Sequence, residues 1–357
     1  MKKVQIMTQY YVLGVMSGTS LDGIDLVAVN FEKTKQWKYQ IQAAETIAYP
    51  QAWKIKLGEA QGLNSTELQQ LNDTYTDYLA EVIHDFTQKH QLHNLDAVCS
   101  HGHTVLHQPD RGITFQIGNQ AHLAKSLNCL VVCDFRVADV QLGGQGAPLV
   151  PIGDRYLFQA YDGCLNLGGF ANISLTENGK TIAYDICAVN TVLNPLAEQL
   201  GFSFDRDGEN ARAGKFIPEL FDALQKLEFY NLNPPKSLGI EWVQEKIQPL
   251  LVDFAANPIQ DLLHTYTKHI AHQIARHGTS GKKILVTGGG AWNVFLMECI
   301  AEKSDAKFQI PEVELVEFKE ALIFGLLGVL RLENEINCLS SVTGCKFDHS
   351  SGVLFSP

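Results

Sequence analysis

Apolar positions along this chain follow two different periods. In GVMSGTSLDGIDLVAVNF, residues 14–31, two apolar runs flank a turn built from Ser17 to Ser20, then Asp22, Gly23 and Asp25. A hairpin needs only about two to five turn residues, and this turn carries more hydroxyls and glycines than chain reversal requires. Outward-facing backbone amides in such a turn suit an anion; a wide surface turn is the competing reading. Residues 65–90 change period: Leu68, Leu71, Tyr75, Tyr78, Leu79, Val82, Ile83 and Phe86 fall mainly on one helical face. Ser65 or Thr66 stands where a cap belongs.

Further on, LDAVCSHG reads as a strand, TVLHQPDRGITFQIGN as a hairpin-like region, AHLAKSLN as a short helix and CLVVCDF as a buried strand. VQLGGQGAPLVP, residues 140–151, has no apolar period and is rich in Gly and Pro, which marks a loop or crossover near a domain change. A second strand-turn-strand follows in DGCLNLGGFANISLT and KTIAYDICAVN. Helices are expected over residues 190–200, where Pro195 fits only in the first turn or at a kink, and over 256–277. KKILVTGGGAWN is a strand entering a glycine turn and a helix, and FKEALIFGLLGVLRLE is a mostly apolar helix. Strands and helices alternate twice, so the class is α/β, with two sheet-and-helix halves.

Composition narrows the function classes. With 45% apolar and 19% charged residues in 357, the chain can bury a large core. A net charge of −11 argues against nucleic acid or an anionic membrane as partner, yet leaves room for a phosphorylated ligand held by local amides and a metal ion. Eight scattered cysteines without a CxxC fit buried free thiols better than disulfides or a zinc site. Gln5, Thr8 and Gln9 interrupt any signal-peptide core, and no apolar run reaches membrane-spanning length, so a cytoplasmic location is expected.

An apolar strand runs into a small-residue turn three times, at VLGVMSGTSLDG, CLNLGGFANIS and ILVTGGGAWN. Each alone is a common packing device. Together they favour nucleotide binding, because glycine lets the backbone approach phosphate closely. No Walker lysine pattern or GxGxxG is present, which excludes the phosphate-loop and dinucleotide folds.

The three turns in this order resemble the superfamily of actin, sugar kinases and heat-shock ATPases. More narrowly, GVMSGTSLDGID, HGHTVLH, TFQIGN, DFRVADVQLGGQGAPLVP, NLGGFANIS, PPKSLGIEW and VTGGGAWN together resemble the anhydro-N-acetylmuramic acid kinase family, over about Leu13 to Leu330. The resemblance implies a two-domain, actin-like ATPase clamshell of the sugar-kinase type, each half a mixed sheet flanked by helices. It places one half at 1–134 plus 317–357 and the other at 135–316, with the active-site cleft between them.

It also implies an ATP-dependent kinase that hydrolyses the anhydro bridge of 1,6-anhydro-N-acetylmuramic acid and phosphorylates O6, giving N-acetylmuramic acid 6-phosphate in peptidoglycan recycling. Gly18, Thr19, Ser20, Leu21, Asp22, Gly23, Ile24 and Asp25 would wrap the ATP phosphates, opposed by Gly168 and Gly169, with Gly288, Gly289 and Gly290 beside the nucleoside. Asp185 is implied as the general base. His101, Asp134, Arg136, Gln145, Asn190 and Glu320 are implied as sugar contacts. Mg²⁺ is expected on the nucleotide and water near Asp22 or Asp25, with no dedicated protein metal ligands, and a homodimer is a family expectation.

Other readings stand beside these. His101, His103 and His107 have weak metal spacing and no HExxH pattern, and suit a loop lining the sugar cleft. Asp134, Arg136 and Asp139 also fit a structural ion-pair network, and Glu320 also fits a first-turn acid answering the helix dipole. Asp205 and Asp207 read as solvated loop acids. Family members typically read Asp-Thr-Gly-Pro, a small residue, then Asn at this point, whereas this chain has Asp185, Ile186, Cys187, Ala188, Val189 and Asn190. That departure leaves three options open: the same activity on a divergent branch, a kinase for a different amino sugar, or a catalytically weak sugar sensor.

Overall fold

The computed structural model describes residues 8–18, 21–277 and 280–357. They form two compact units, Met1–Leu157 with Phe318–Pro357, and Phe158–Glu317. In the first unit, β1 (Thr8–Ser17), β2 (Gly23–Lys33) and β3 (Trp37–Ala48) make an antiparallel meander. β4 (Ala97–Gln108) and β6 (Val131–Cys133) extend it parallel to β1, while β5 (Ile113–Ile117) pairs back on β4. The C-terminal strand Val353–Phe355 closes the far edge against β6.

The second unit has the same plan. β7 (Gly163–Leu167), β8 (Phe170–Glu177) and β9 (Lys180–Ala188) form the meander, and β10 (Lys283–Thr287) and β11 (Lys307–Gln309) continue parallel to β7. The sheets run β3-β2-β1-β4-β6, with the C-terminal strand beyond β6 and β5 off this path, and β9-β8-β7-β10-β11, in agreement with the expected pair of mixed sheets flanked by helices. The central strands β1 and β7 are paired on both sides, and Val12, Leu13 and Val15 of β1 and Leu165 and Leu167 of β7 are buried, as strands covered on both faces require.

Helices follow the sequence pattern closely. Ser65–Lys89 buries Leu71, Tyr75, Leu79, Ile83 and Phe86, but its cap is Asn64, not Ser65 or Thr66. The Asn64 side chain accepts from the Thr66 and Glu67 amides, and Glu67 accepts in return from the Asn64 amide. Pro195 sits inside the helix Asn190–Glu198. The long apolar helix begins at Val313 and ends at Leu332, and no described helix is long and apolar enough to cross a membrane.

The division of the chain differs from the expected one at its first boundary. Residues 135–157 pack with the first unit, not the second. A Cβ on Gly153 would meet the Ile323 side chain at 2.5 Å, and Asp154 forms a buried ion pair of 2.8 Å with Lys319. Breaking such a pair from one side typically costs about 3–5 kcal/mol. The 140–151 loop is shorter than its composition suggests, because Val150 already starts a helix with Pro151 in its first turn.

The helix Val313–Leu332 lies against β1 with almost no room to spare. A Cβ on Gly14 would stand 2.0 Å from the Ala321 carbonyl oxygen, a backbone atom that cannot rotate away. Gly14→Ala should therefore lower the unfolding free energy by at least ~1–3 kcal/mol. Gly62→Ala, at a site with nothing within 4 Å, should be nearly neutral. Urea unfolding of both variants checks this; equal midpoints would contradict the packing.

Candidate active site

The opening turn begins where β1 ends, and a buried polar chain fixes its root. Ser17 Oγ is 2.6 Å from the Tyr49 hydroxyl and 2.9 Å from His103 Nδ1, and the Tyr49 and Tyr75 hydroxyls are 2.5 Å apart. Burial pushes the Tyr49 phenol up to about 12, so this chain stays uncharged at neutral pH. Thr19 and Ser20 lie outside the described residues. Leu21 is left-handed at φ 60°, and its amide donates to the Gly18 carbonyl at 3.4 Å. Asp22 is exposed. A Cβ on Gly23 would meet the Ile47 carbonyl oxygen at 2.5 Å, so close strand approach requires that glycine. Ile24 is core, and Asp25 Oδ1 accepts from Thr46 Oγ1 at 2.6 Å.

A second group gathers in the same unit. Arg136 Nε donates to His101 Nε2 at 2.8 Å, and Nη1 donates to the Gly146 carbonyl at 2.7 Å. His101 Nδ1 therefore carries the proton, donated to the Gly102 carbonyl at 2.8 Å. Burial first, and then Arg136, holds the His101 pKa well below its ordinary value. Asp134 is left-handed at φ 61°, and burial raises its carboxyl. Gln145 exposes its side chain while its amide donates to the Thr343 carbonyl at 2.8 Å.

Glu320 stands in the third turn of its helix, so the first-turn dipole reading is wrong. The residue is exposed as a whole, yet its carboxyl is raised, desolvation by surrounding protein outweighing the lowering influence of Arg136 and Lys319, with Asp25 and Asp154 adding to the rise. Arg136 pairs with His101 and backbone, and Asp139 is committed to Gly146, Thr343 and Cys338. The alternative reading of Asp134, Arg136 and Asp139 as one ion-pair network is thus replaced by separate contacts among the described residues. His107 reaches Thr114 Oγ1 at 3.1 Å, and the three histidines have three different sets of partners.

In the second unit, Asp185 lies near the end of β9, half-buried. Its Oδ2 accepts from the Leu238 amide at 2.8 Å, and its own amide donates to the Lys236 carbonyl at 3.0 Å. Burial raises its carboxyl above the ordinary 3.8, with the Leu238 amide pulling the other way. The PPKSLGIEW segment thus grips the candidate base, a role its sequence did not disclose. Ile186, Cys187, Ala188 and Val189 are wholly buried in the second core, so none of the four offers a side chain to a ligand.

The two glycine turns of this unit do different work. The Gly169 carbonyl accepts from the Val189 amide at 2.8 Å and from Thr191 Oγ1 at 2.8 Å, while the Gly168 carbonyl accepts from the Asn190 amide at 3.3 Å. The β7–β8 turn is thereby locked to the start of the helix Asn190–Glu198. Gly288, at φ 84°, and Gly290 press against Leu167, where a Cβ would come within 2.9 Å. Gly289 alone is open, with nothing within 4 Å. Asp205, expected to be solvated, is buried and accepts from the Asn210 and Ala211 amides at 2.9 Å.

The buried histidines make a pH prediction. Burial lowers His103 to about 4, against an ordinary 6.5 in the unfolded chain. Between those values the unfolded chain binds a proton that the folded chain refuses, so this contribution to stability is complete above 6.5 and is lost as pH falls toward 4. NMR titration of the imidazole carbon-bound protons checks this; a His103 resonance titrating near 6.5 would contradict it.

Residues 9–357 match the sequence model described as anhydro-N-acetylmuramic acid kinase. A protein of that name from Pseudomonas fluorescens (strain Pf0-1) is 35% identical over 364 residues, covering 96% of this chain and 98% of its own. Another, from Actinobacillus pleuropneumoniae serotype 7 (strain AP76), is 33% identical over 374 residues, covering 98% of this chain and 100% of its own. Among solved structures, component A of the Acidaminococcus fermentans (R)-2-hydroxyglutaryl-CoA dehydratase overlays with a TM-score of 0.49 and 13% identity, over 89% of this chain and 97% of that one. On the match of nearly its whole length, the chain belongs to the anhydro-N-acetylmuramic acid kinase family.

Proposed function

We propose that the protein uses ATP and water to open 1,6-anhydro-N-acetylmuramic acid and phosphorylate O6, with Asp185 as general base. Asp185 takes a proton from water as the water oxygen bonds to the anomeric carbon. The bond from that carbon to the bridge oxygen breaks, and the freed O6 bonds to the γ-phosphorus as its bond to the leaving ADP oxygen breaks. The proton on Asp185 then passes to solvent. Family membership carries this reading. What supports Asp185 within it is a carboxylate raised by burial and held by one backbone amide, which keeps the base oriented and more basic than a free side chain.

The amides of Gly18–Asp25 are assigned to the ATP phosphates, as are those of Gly168 and Gly169. The turn Gly288–Gly290 is assigned to the nucleoside, for which the open Gly289 leaves room. Bound Mg²⁺ would neutralise developing phosphate charge, and the carboxylates of Asp22 and Asp25 suit its hard-oxygen preference. His101, Asp134, Arg136, Gln145, Asn190 and Glu320 are assigned to the sugar. Arg136 supplies the fixed positive charge among them, and the raised Glu320 a carboxyl that takes up a proton more readily than a free one. The buried Ile186–Val189 stretch supports the family substrate over a different sugar, since its side chains face the core. The eight cysteines, none in a disulfide among the described residues, suit action in the cytoplasm.

An ADP-release assay with the anhydro sugar, ATP and Mg²⁺ tests the assignment. Asp185→Asn should lower kcat by ~10²–10⁴-fold with little change in KM for the sugar. Because the base must be ionised, kcat/KM of the wild type should fall as pH drops through a value above 3.8. Undiminished turnover in a folded Asp185→Asn protein would remove Asp185 from the chemistry.

A further inference from the structure

Outside the residues assigned to the reaction, the C-terminal segment of the first unit brings one carboxylate, two thiols and an imidazole together. Single ligand atoms from Asp139, Cys345 and His349 all lie within 4.8 Å of one another. His349 Nε2 faces Asp139 Oδ1 at 3.8 Å, and Cys345 Sγ is 3.7 Å from His349 Nδ1. Cys338 Sγ stands 3.0 Å from Asp139 Oδ1. Hydrogen bonding leaves this group incomplete. His349 Nε2 is buried with no hydrogen-bond partner, and its separation from Asp139 is too long for a hydrogen bond. Its side chain is only 9% exposed, so water does not compensate it freely.

We propose that Asp139, Cys345 and His349 bind a divalent cation of the zinc type, with the fourth position left to water. A mixed set of thiolate, imidazole and carboxylate matches the preference of that ion and not of Mg²⁺ or Ca²⁺. Ligand atoms around a tetrahedral zinc stand roughly 3.3–3.8 Å apart, so those of Asp139, Cys345 and His349 need to close by only about 1 Å. The imidazole is already oriented for metal through Nε2, because Nδ1 lies 3.2 Å from the Phe347 carbonyl and can donate to it. Binding exchanges the Cys345 thiol proton for the ion, and that proton leaves to solvent.

The bound ion would tie the 338–349 segment to the loop that Asp139 holds through the Gly146 amide at 2.7 Å. That loop continues to the Gly146 carbonyl on which Arg136 rests. The ion's role is therefore structural support, separate from the transfer chemistry.

The test uses the full chain, reduced and freed of metal, titrated with Co²⁺ and then Zn²⁺. One Co²⁺ per chain should bind, with the visible ligand-field bands of a tetrahedral ion and a near-ultraviolet thiolate charge-transfer band. One equivalent of Zn²⁺ should abolish both, and Zn²⁺ should raise Tm. Cys345→Ser and His349→Gln, shown folded by circular dichroism, should each bind at least tenfold more weakly. A wild type without the thiolate band overturns the proposal, as do variants that keep the full spectrum. Should a variant not fold, the wild-type band and its stoichiometry decide alone.

Discussion

The contact between β1 and the helix Val313–Leu332 governs the first unit. Gly14 has no side chain because the Ala321 carbonyl occupies the space one would need. That approach fixes the helix in height and rotation over the sheet. Lys319 then falls on the buried side, against Asp154, and Glu320 on the exposed side, under the influence of Arg136 and Asp25. A shift of one residue in this helix would exchange a buried cation for a buried carboxylate. The cost of an unpaired buried charge makes the register sharp.

The second unit solves a related problem with different contacts. Its central strand β7 ends under the Gly288 and Gly290 turn, which approaches Leu167 too closely for any side chain. The β7–β8 turn is in turn bound by its carbonyls to the start of the next helix. Asp185 sits at the neighbouring strand end, where the Leu238 amide holds one carboxylate oxygen. Two units with the same five-strand core order thus carry different chemistry: the first a charged cluster around Arg136, the second an oriented, basic carboxylate.

Much of this was legible in residue spacing. The period of Leu71, Tyr75, Leu79 and Phe86 fixed the helix Ser65–Lys89, and alternation with glycine turns located both meanders. The choice of Asn64 over Ser65 as cap was not legible, because three consecutive residues, Asn64, Ser65 and Thr66, all favour that position. The helix carrying Glu320 starts five residues before its apolar run, which moved that acid from the first turn to the third. The placement of residues 135–157 depends on Ile323, Lys319 and Thr343, more than 150 positions away. The same separation hides the Asp139–Cys345–His349 cluster, since no short motif spans it. Asp185 was found through resemblance; its restraint by Leu238, 53 positions on, required the fold.

In the proposed reaction, phosphoryl transfer is coupled to the entry of a water molecule at the anomeric carbon. Turnover of the 1,6-anhydro sugar in H₂¹⁸O, quenched early and read by mass spectrometry, tests it most directly. One ¹⁸O per product is expected at the anomeric position, above the exchange of the unlabelled product incubated in parallel. A phosphorylated product with no ¹⁸O beyond that control would contradict it and leave an ordinary transfer to a sugar hydroxyl.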